Sequence, residues 1–107
     1  MISKDLNKIT YSNDIRFEDL LFVRFQGFRV SVTKSALNDM LKNNLDLTDI
    51  KQVLEKGRTS PRKRKKNTIE KWLDKKGKII EVVVAMDYNE TLRKKEWVLI
   101  HCGVFSK

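Results

Sequence analysis

Between Leu21 and Val32 apolar and polar residues alternate. Leu21, Val23 and Phe25 share one face of an extended segment, and Phe28, Val30 and Val32 share one face of the next. A period of two built from β-branched and aromatic residues predicts two strands, with a turn or bulge at Gln26-Gly27. The period then lengthens. Ala36, Leu37, Met40, Leu41 and Leu45 recur at helical spacing, which predicts a helix over 33–44 with these residues in one buried stripe. Thr33 is placed to cap its start and Asn43-Asn44 to stop it. In LDLTDIKQVLEKG, Asp46 or Thr48 offers the next N-cap, and Asp49 suits the positive end of the helix dipole. Ile50, Val53 and Leu54 form that helix's core face, and Gly57 is expected to close it in a left-handed conformation.

Segment 61–74 fits two patterns. Ser60-Pro61 can open a third helix carrying Ile69, Trp72 and Leu73 and ending at Gly77. As a strand, the segment sets Ile69, Lys71 and Leu73 on one side and Glu70 and Trp72 on the other. The strand is preferred, as a hairpin of 67–74 with 78–86 turning at Lys75-Lys76-Gly77. KIIEVVVAM then reads as a central strand, because a near-continuous β-branched run needs cover on both faces. Segment 87–95 is expected to be a polar loop. EWVLIHC is the last strand, with Trp97, Leu99 and His101 on one face and Val98, Ile100 and Cys102 on the other; 103–107 is a short tail. The order β-β-α-α-β-β-β predicts an α+β fold, an antiparallel sheet of four to five strands with two consecutive helices packed on one face. A chain of 107 residues makes one such domain, 17–107, preceded by a polar arm at 1–16 that is either disordered or an added edge strand.

Charge alters this picture at one place. Residues 56–78 hold eleven Lys and Arg against Glu70 and Asp74, a local +9. The whole chain, with 23 basic and 14 acidic residues, also carries +9, so the other 84 residues balance at twelve of each. A concentrated excess draws polyanions, and RNA is the first partner expected. Arg58, Arg62, Lys63, Arg64, Lys65, Lys66 and Lys71 would lie on phosphates, and Trp72 would stack on unpaired bases. The competing possibilities are a solvated charged loop and a Trp72 that packs in the structure. Two other functions stay open: a non-catalytic nucleic-acid-binding protein, and an interaction module docking an acidic protein.

Composition fits a globular, cytoplasmic protein, with 40% hydrophobic residues and one cysteine, Cys102, which allows no internal disulfide. No secretory signal or membrane-length apolar run is present. His101, the only histidine, has the chemistry for proton transfer but needs a second group to act as both acid and base; a hydrogen-bonded strand-edge role is the alternative. No metal or cofactor is expected. One His and an adjacent Cys on opposite strand faces do not make a metal site, and the glycines at 27, 57, 77 and 103 are too scattered for a phosphate loop.

TKSALNDMLKNNLDLTDIKQVLEKGR, GKIIEVVVAMDY and WVLIHCG together resemble a family of small prokaryotic domains of unknown function related to the RelE and BrnT toxins. The likeness runs from Phe28 to Gly103. The family's helix start, Thr-x-His-Ala, corresponds to Thr33, Lys34, Ser35 and Ala36, so Ser35 stands in place of its His. Asp39 and Asn43 stand in place of its arginines, while Val53 to Gly57 and Val82 to Val84 match. The resemblance implies an α+β fold with a basic sheet face. In toxin relatives it implies metal-independent cleavage of mRNA, free or ribosome-bound, restrained by an antitoxin and relying on Lys, Arg and Tyr. Arg64, Arg93, Tyr88 and His101 are the available catalytic candidates, and no role carries over residue for residue.

Overall fold

The computed structural model describes residues 23–106. The arm at 1–16 and Leu21 of the first expected strand lie outside them. β1 (Val23–Phe25) and β2 (Phe28–Val32) form a hairpin that turns at Gln26 and Gly27, both at positive φ. Two helices follow, α1 (Lys34–Asn43) and α2 (Leu47–Lys56), and then β3 (Arg58–Thr59), β4 (Thr68–Lys75), β5 (Lys78–Asn89) and β6 (Lys94–Ser106).

The caps act as the sequence predicts. Thr33 Oγ1 accepts the Ala36 N–H and donates to the Leu99 carbonyl, both at 3.0 Å, so one hydroxyl starts α1 and ties it to β6. Asn44, at φ 56°, ends α1, and Asp46 opens α2 in a reciprocal capping box with Asp49. Gly57 differs from expectation, since its φ of −72° is an ordinary extended value. Glycine is needed there for space: a Cβ would stand 2.5 Å from the Val53 carbonyl oxygen and 2.8 Å from that of Trp72. Both obstacles are backbone, so Gly57→Ala is expected to destabilise the fold by about 2–3 kcal/mol in urea melts. An unchanged midpoint would mean that the α2–β3 junction relaxes freely.

The strands among the described residues form one six-stranded sheet in the order β1-β2-β6-β5-β4-β3. β2 and β6 run parallel and every other pair is antiparallel. The sheet is therefore mixed and larger than the expected four or five antiparallel strands. The chain leaves β2 through both helices and returns to insert β6 between β2 and β5. The segment expected at 67–74 is the strand of the preferred hairpin, running Thr68–Lys75, and not a third helix. The expected polar loop at 87–95 is largely ladder, with Asp87, Tyr88 and Asn89 paired to Glu96, Lys95 and Lys94, and the expected tail pairs out to Ser106. Main-chain hydrogen bonding needs no apolar side chain, so strands project beyond the hydrophobic pattern that reveals them.

Both helices cover one face. Ala36, Met40, Ile50, Val53 and Leu54 pack with Ile80, Val82, Val84, Trp97, Leu99 and Cys102 in a single core. The stripe on α1 is narrower than its spacing suggests, because Leu37 is 48% and Leu41 73% exposed. α1 lies along β6 beyond the end of β2, where only Ala36 and Met40 are fully covered.

One irregularity sets up the opposite face. The β5–β6 register shifts between Val83 and Val84, whose partners are His101 and Leu99, so Ile100 is the extra residue of a bulge. Strict alternation would place His101 beside Leu99. The bulge instead sends Leu99 and Cys102 into the core and His101 to the far face, with Glu81 and Val83.

Candidate nucleic-acid interface

The far face carries two acids in the middle of the sheet. Alternation puts Glu70 and Trp72 of β4 and Glu81 of β5 there, and the Glu70 and Glu81 side chains are only 1% and 7% exposed. Buried carboxylates need partners. The basic segment supplies them. Residues 60–67 fold back from β3 over the sheet, held by Ser60 N–H on the Glu70 carbonyl at 3.0 Å and by Met86 N–H on the Asn67 carbonyl at 2.8 Å. Arg64 Nε donates to Glu70 Oε1 at 2.7 Å, and Arg62 Nη1 donates to Glu81 Oε2 at 2.9 Å. Each arginine also approaches the other's carboxylate, at 3.7 Å and 3.9 Å, making a lattice of two cations and two anions. Trp72 Nε1 completes it with a 2.7 Å bond to Glu70 Oε2.

The two carboxyls are pushed apart in acidity. Burial works to raise Glu70, but a hydrogen bond shared with Glu81, bonds from Arg64 and Trp72 and the Arg64 charge outweigh it and bring the group down to about 2. Glu81 moves up, chiefly through burial and then through the bond to and charge of Glu70, against the opposing pull of His101 and Arg62. Glu70 is the fixed anion of the pair and Glu81 the member that takes the proton.

His101 bridges this lattice to α1. Its Nδ1 is 2.8 Å from Asp39 Oδ2 and its Nε2 3.2 Å from Glu81 Oε1. A doubly protonated ring donates to both carboxylates; a neutral ring donates to one and takes a proton at the other. Cys102 next to it is a core residue, its thiol pushed up to about 12 by burial and then by the Asp39 and Glu81 charges, so it is no nucleophile.

The expected site residues divide accordingly. Arg64 and His101 meet at Glu81. Tyr88 and Arg93 do not join them: Arg93 sits in the β5–β6 turn, and Tyr88 is five ladder positions beyond the partner of His101, about 17 Å at the usual strand rise, on the helix-bearing face. Arg58 is used at the surface, 2.7 Å from Asp74. Lys71 alternates with Ile69 and Leu73 on the helix side, away from the loop. Trp72 packs edge-on against Phe105 at 5.1 Å, and Arg62 and Arg58 lie over its ring at 5.3 and 5.7 Å. These contacts use part of a ring that is still partly exposed, and they give Trp72 a packing role beside the stacking expected of it.

Lys63, Lys65 and Lys66 remain. All three are exposed and none makes an ion pair among the described residues. Sequence reasoning missed Asp39, Glu70 and Glu81 as members of this cluster. Their signal was legible in part, because Glu81 interrupts the apolar run 79–86 and Glu70 lies within the basic window. No His, Cys, Asp or Glu side chains among the described residues converge in threes as a metal site, and no helix there is long and apolar enough to cross a membrane. Compared with known protein families, curated proteins and solved structures, the chain matches none.

Proposed function

We propose that this protein is an RNA-binding domain whose phosphate contacts come from Lys63, Lys65 and Lys66, presented by a loop that buried carboxylates clamp to the sheet. One observation carries the reading, the division of charge within residues 62–66. Arg62 and Arg64 turn inward to Glu81 and Glu70, while the lysines between and after them face solvent. The clamp lowers the entropy lost on ordering the loop around a ligand, and each lysine can replace a condensed counterion. The reading keeps the RelE/BrnT-like resemblance of the sequence as part of the proposal.

The test is binding of a fluorescent single-stranded RNA as salt is raised, beside duplex DNA of equal length. Lys63→Ala/Lys65→Ala/Lys66→Ala is expected to weaken RNA binding roughly 10- to 100-fold at low salt and to flatten the log–log salt slope by about two, from three lost contacts. Unchanged affinity and slope would remove this loop as the interface.

A second reading, a metal-independent endoribonuclease, is favoured by the contact of His101 Nε2 with Glu81 Oε1 beside Arg64. It would use the imidazole and carboxyl as the acid–base pair and the guanidinium on the developing phosphate charge. Its measurement is a denaturing gel of RNA incubated with the protein and with His101→Ala. Fragments absent from the variant support cleavage; intact RNA with both leaves binding as the activity.

A further inference from the structure

A second cationic feature lies at the other end of the sheet. A groove of about 700 Å³ runs between the β1–β2 hairpin, α2 and the start of β6, lined by Arg24, Arg29, Lys51, Lys94 and Lys95 against Glu55 and Glu96. The sequence gives no hint of it, because residues outside 56–78 balance in charge and these five cations come from four separate segments. Arg24, Lys51, Lys94 and Lys95 are exposed and form no ion pair among the described residues. With low-dielectric walls and a net excess of three positive charges, the groove concentrates anions.

A simple anion does not account for Glu96. This carboxylate lines the groove yet is only 9% exposed, and its Oε1 is buried with no hydrogen-bond partner among the described residues. Its Oε2 accepts from Asn89 Nδ2 at 3.1 Å, and Asn89 Oδ1 accepts the Leu92 N–H at 2.9 Å, so the hairpin end holds the carboxylate in place. An unfilled buried acceptor is unfavourable until a donor reaches it. The fitting ligand joins an anionic group to an N–H or O–H donor. Phe28 and Leu92, 38% and 41% exposed on the groove wall, add apolar surface for a flat ring.

We propose that this groove is a nucleotide site. Lys94, Lys95, Arg24 and Lys51 would hold the phosphate, and Glu96 Oε1 would accept from a ribose hydroxyl or a base amino group after a small opening of the hairpin end. A free mononucleotide and a nucleotide unit of an RNA strand share this chemistry. The site does not depend on the Lys63–Lys66 loop.

The test is calorimetric titration of the full chain with guanosine and adenosine 5′-monophosphates, a short single-stranded RNA and inorganic phosphate, with amide NMR shifts to locate each ligand. Mononucleotide binding is expected to move the amides of Gly27, Phe28 and Leu92 and to weaken about tenfold in Lys94→Ala/Lys95→Ala, two exposed changes that leave the fold intact by circular dichroism. It is expected to be unaffected by Lys63→Ala/Lys65→Ala/Lys66→Ala. Glu96→Gln, which removes the carboxylate's charge, is expected to weaken nucleotide binding and to leave phosphate binding equal or stronger. Binding of the RNA without the mononucleotides, with the same shifts and the same Lys94/Lys95 dependence, assigns the site to a strand. The proposal falls if neither the mononucleotides nor the RNA moves the amides of Gly27, Phe28 and Leu92, if the mononucleotide shifts map to residues 60–67, or if phosphate matches the nucleotides and Glu96→Gln weakens all alike.

Discussion

Glu70→Gln is expected to lower the unfolding free energy at pH 7 by about 3 kcal/mol, the linkage equivalent of a carboxyl moved from 4.5 to about 2. The amide keeps the shape of the side chain but leaves Arg64 and Trp72 aimed at a neutral group. The pH dependence follows from the direction of the shift. Between pH 4.5 and 2 the unfolded chain binds this proton and the folded chain does not, so the stabilisation is complete above 4.5 and disappears as pH falls through about 2. The difference between wild type and Glu70→Gln should therefore be large at pH 7 and shrink steadily in acid. Glu81 has the opposite sign. Its folded-state value is raised, so its contribution is present below the ordinary 4.5 and is lost as pH rises through that higher value. Glu81→Gln imitates the protonated carboxyl and is expected to change stability at pH 7 by no more than about 1 kcal/mol. Urea melts at several pH values between 2.5 and 7 separate the two. Equal losses in both variants at every pH would show that the acids do not divide the charge as their surroundings indicate.

Arg64→Ala is expected to cost about 3 kcal/mol, because it leaves the buried Glu70 carboxylate without its principal cation. Arg64→Lys should recover only part of this. A lysine brings the charge but not the planar fork that meets Glu70 at 2.7 Å and reaches toward Glu81 at 3.9 Å. Arg58→Ala provides the contrast. Its pair with Asp74 is just as short, 2.7 Å, but the two side chains are 52% and 43% exposed, and the expected loss is below about 1 kcal/mol. Chemical denaturation of the three variants orders them, and equal losses for Arg64→Ala and Arg58→Ala would mean that burial of Glu70 has no energetic weight. RNA binding adds an independent readout. Arg64→Ala should weaken binding in step with loss of the folded loop, whereas the triple lysine variant should weaken it at full stability. Arginine and lysine within five consecutive positions thus have separable roles, one in holding the loop and the other in meeting the ligand.

This division also explains how the basic segment reads. As sequence, residues 56–66 carry seven cations and no acid, and all seven look equally available. Their partners are distant along the chain. Glu81 lies nineteen residues from Arg62 and Glu70 six from Arg64, on strands whose acids read as surface positions or interruptions. His101 presents the same difficulty over sixty-two residues, since Asp39 reaches it only because α1 lies along β6 beyond the end of β2. Trp72 has a local cause for its orientation, the Glu70 carboxylate two residues away, but its partial cover by Arg62 and Phe105 is tertiary.

The sequence by itself determined the elements: two capped helices, the β1–β2 hairpin, the 68–85 hairpin and the central position of β5. These follow from periods of two and 3.6 and from caps, which act over a few residues. Only the tertiary structure decided the parallel entry of β6, the bulge that turns His101 away from the core, the pairing of arginines with buried acids and the gathering of Arg24, Lys51, Lys94 and Lys95 around one groove. The physical reason is range. Backbone propensity and amphipathic period are fixed by near neighbours, whereas the state of a charge is fixed by what lies within a few ångströms in space, and a sheet order that runs β1-β2-β6-β5-β4-β3 brings together residues the chain keeps far apart.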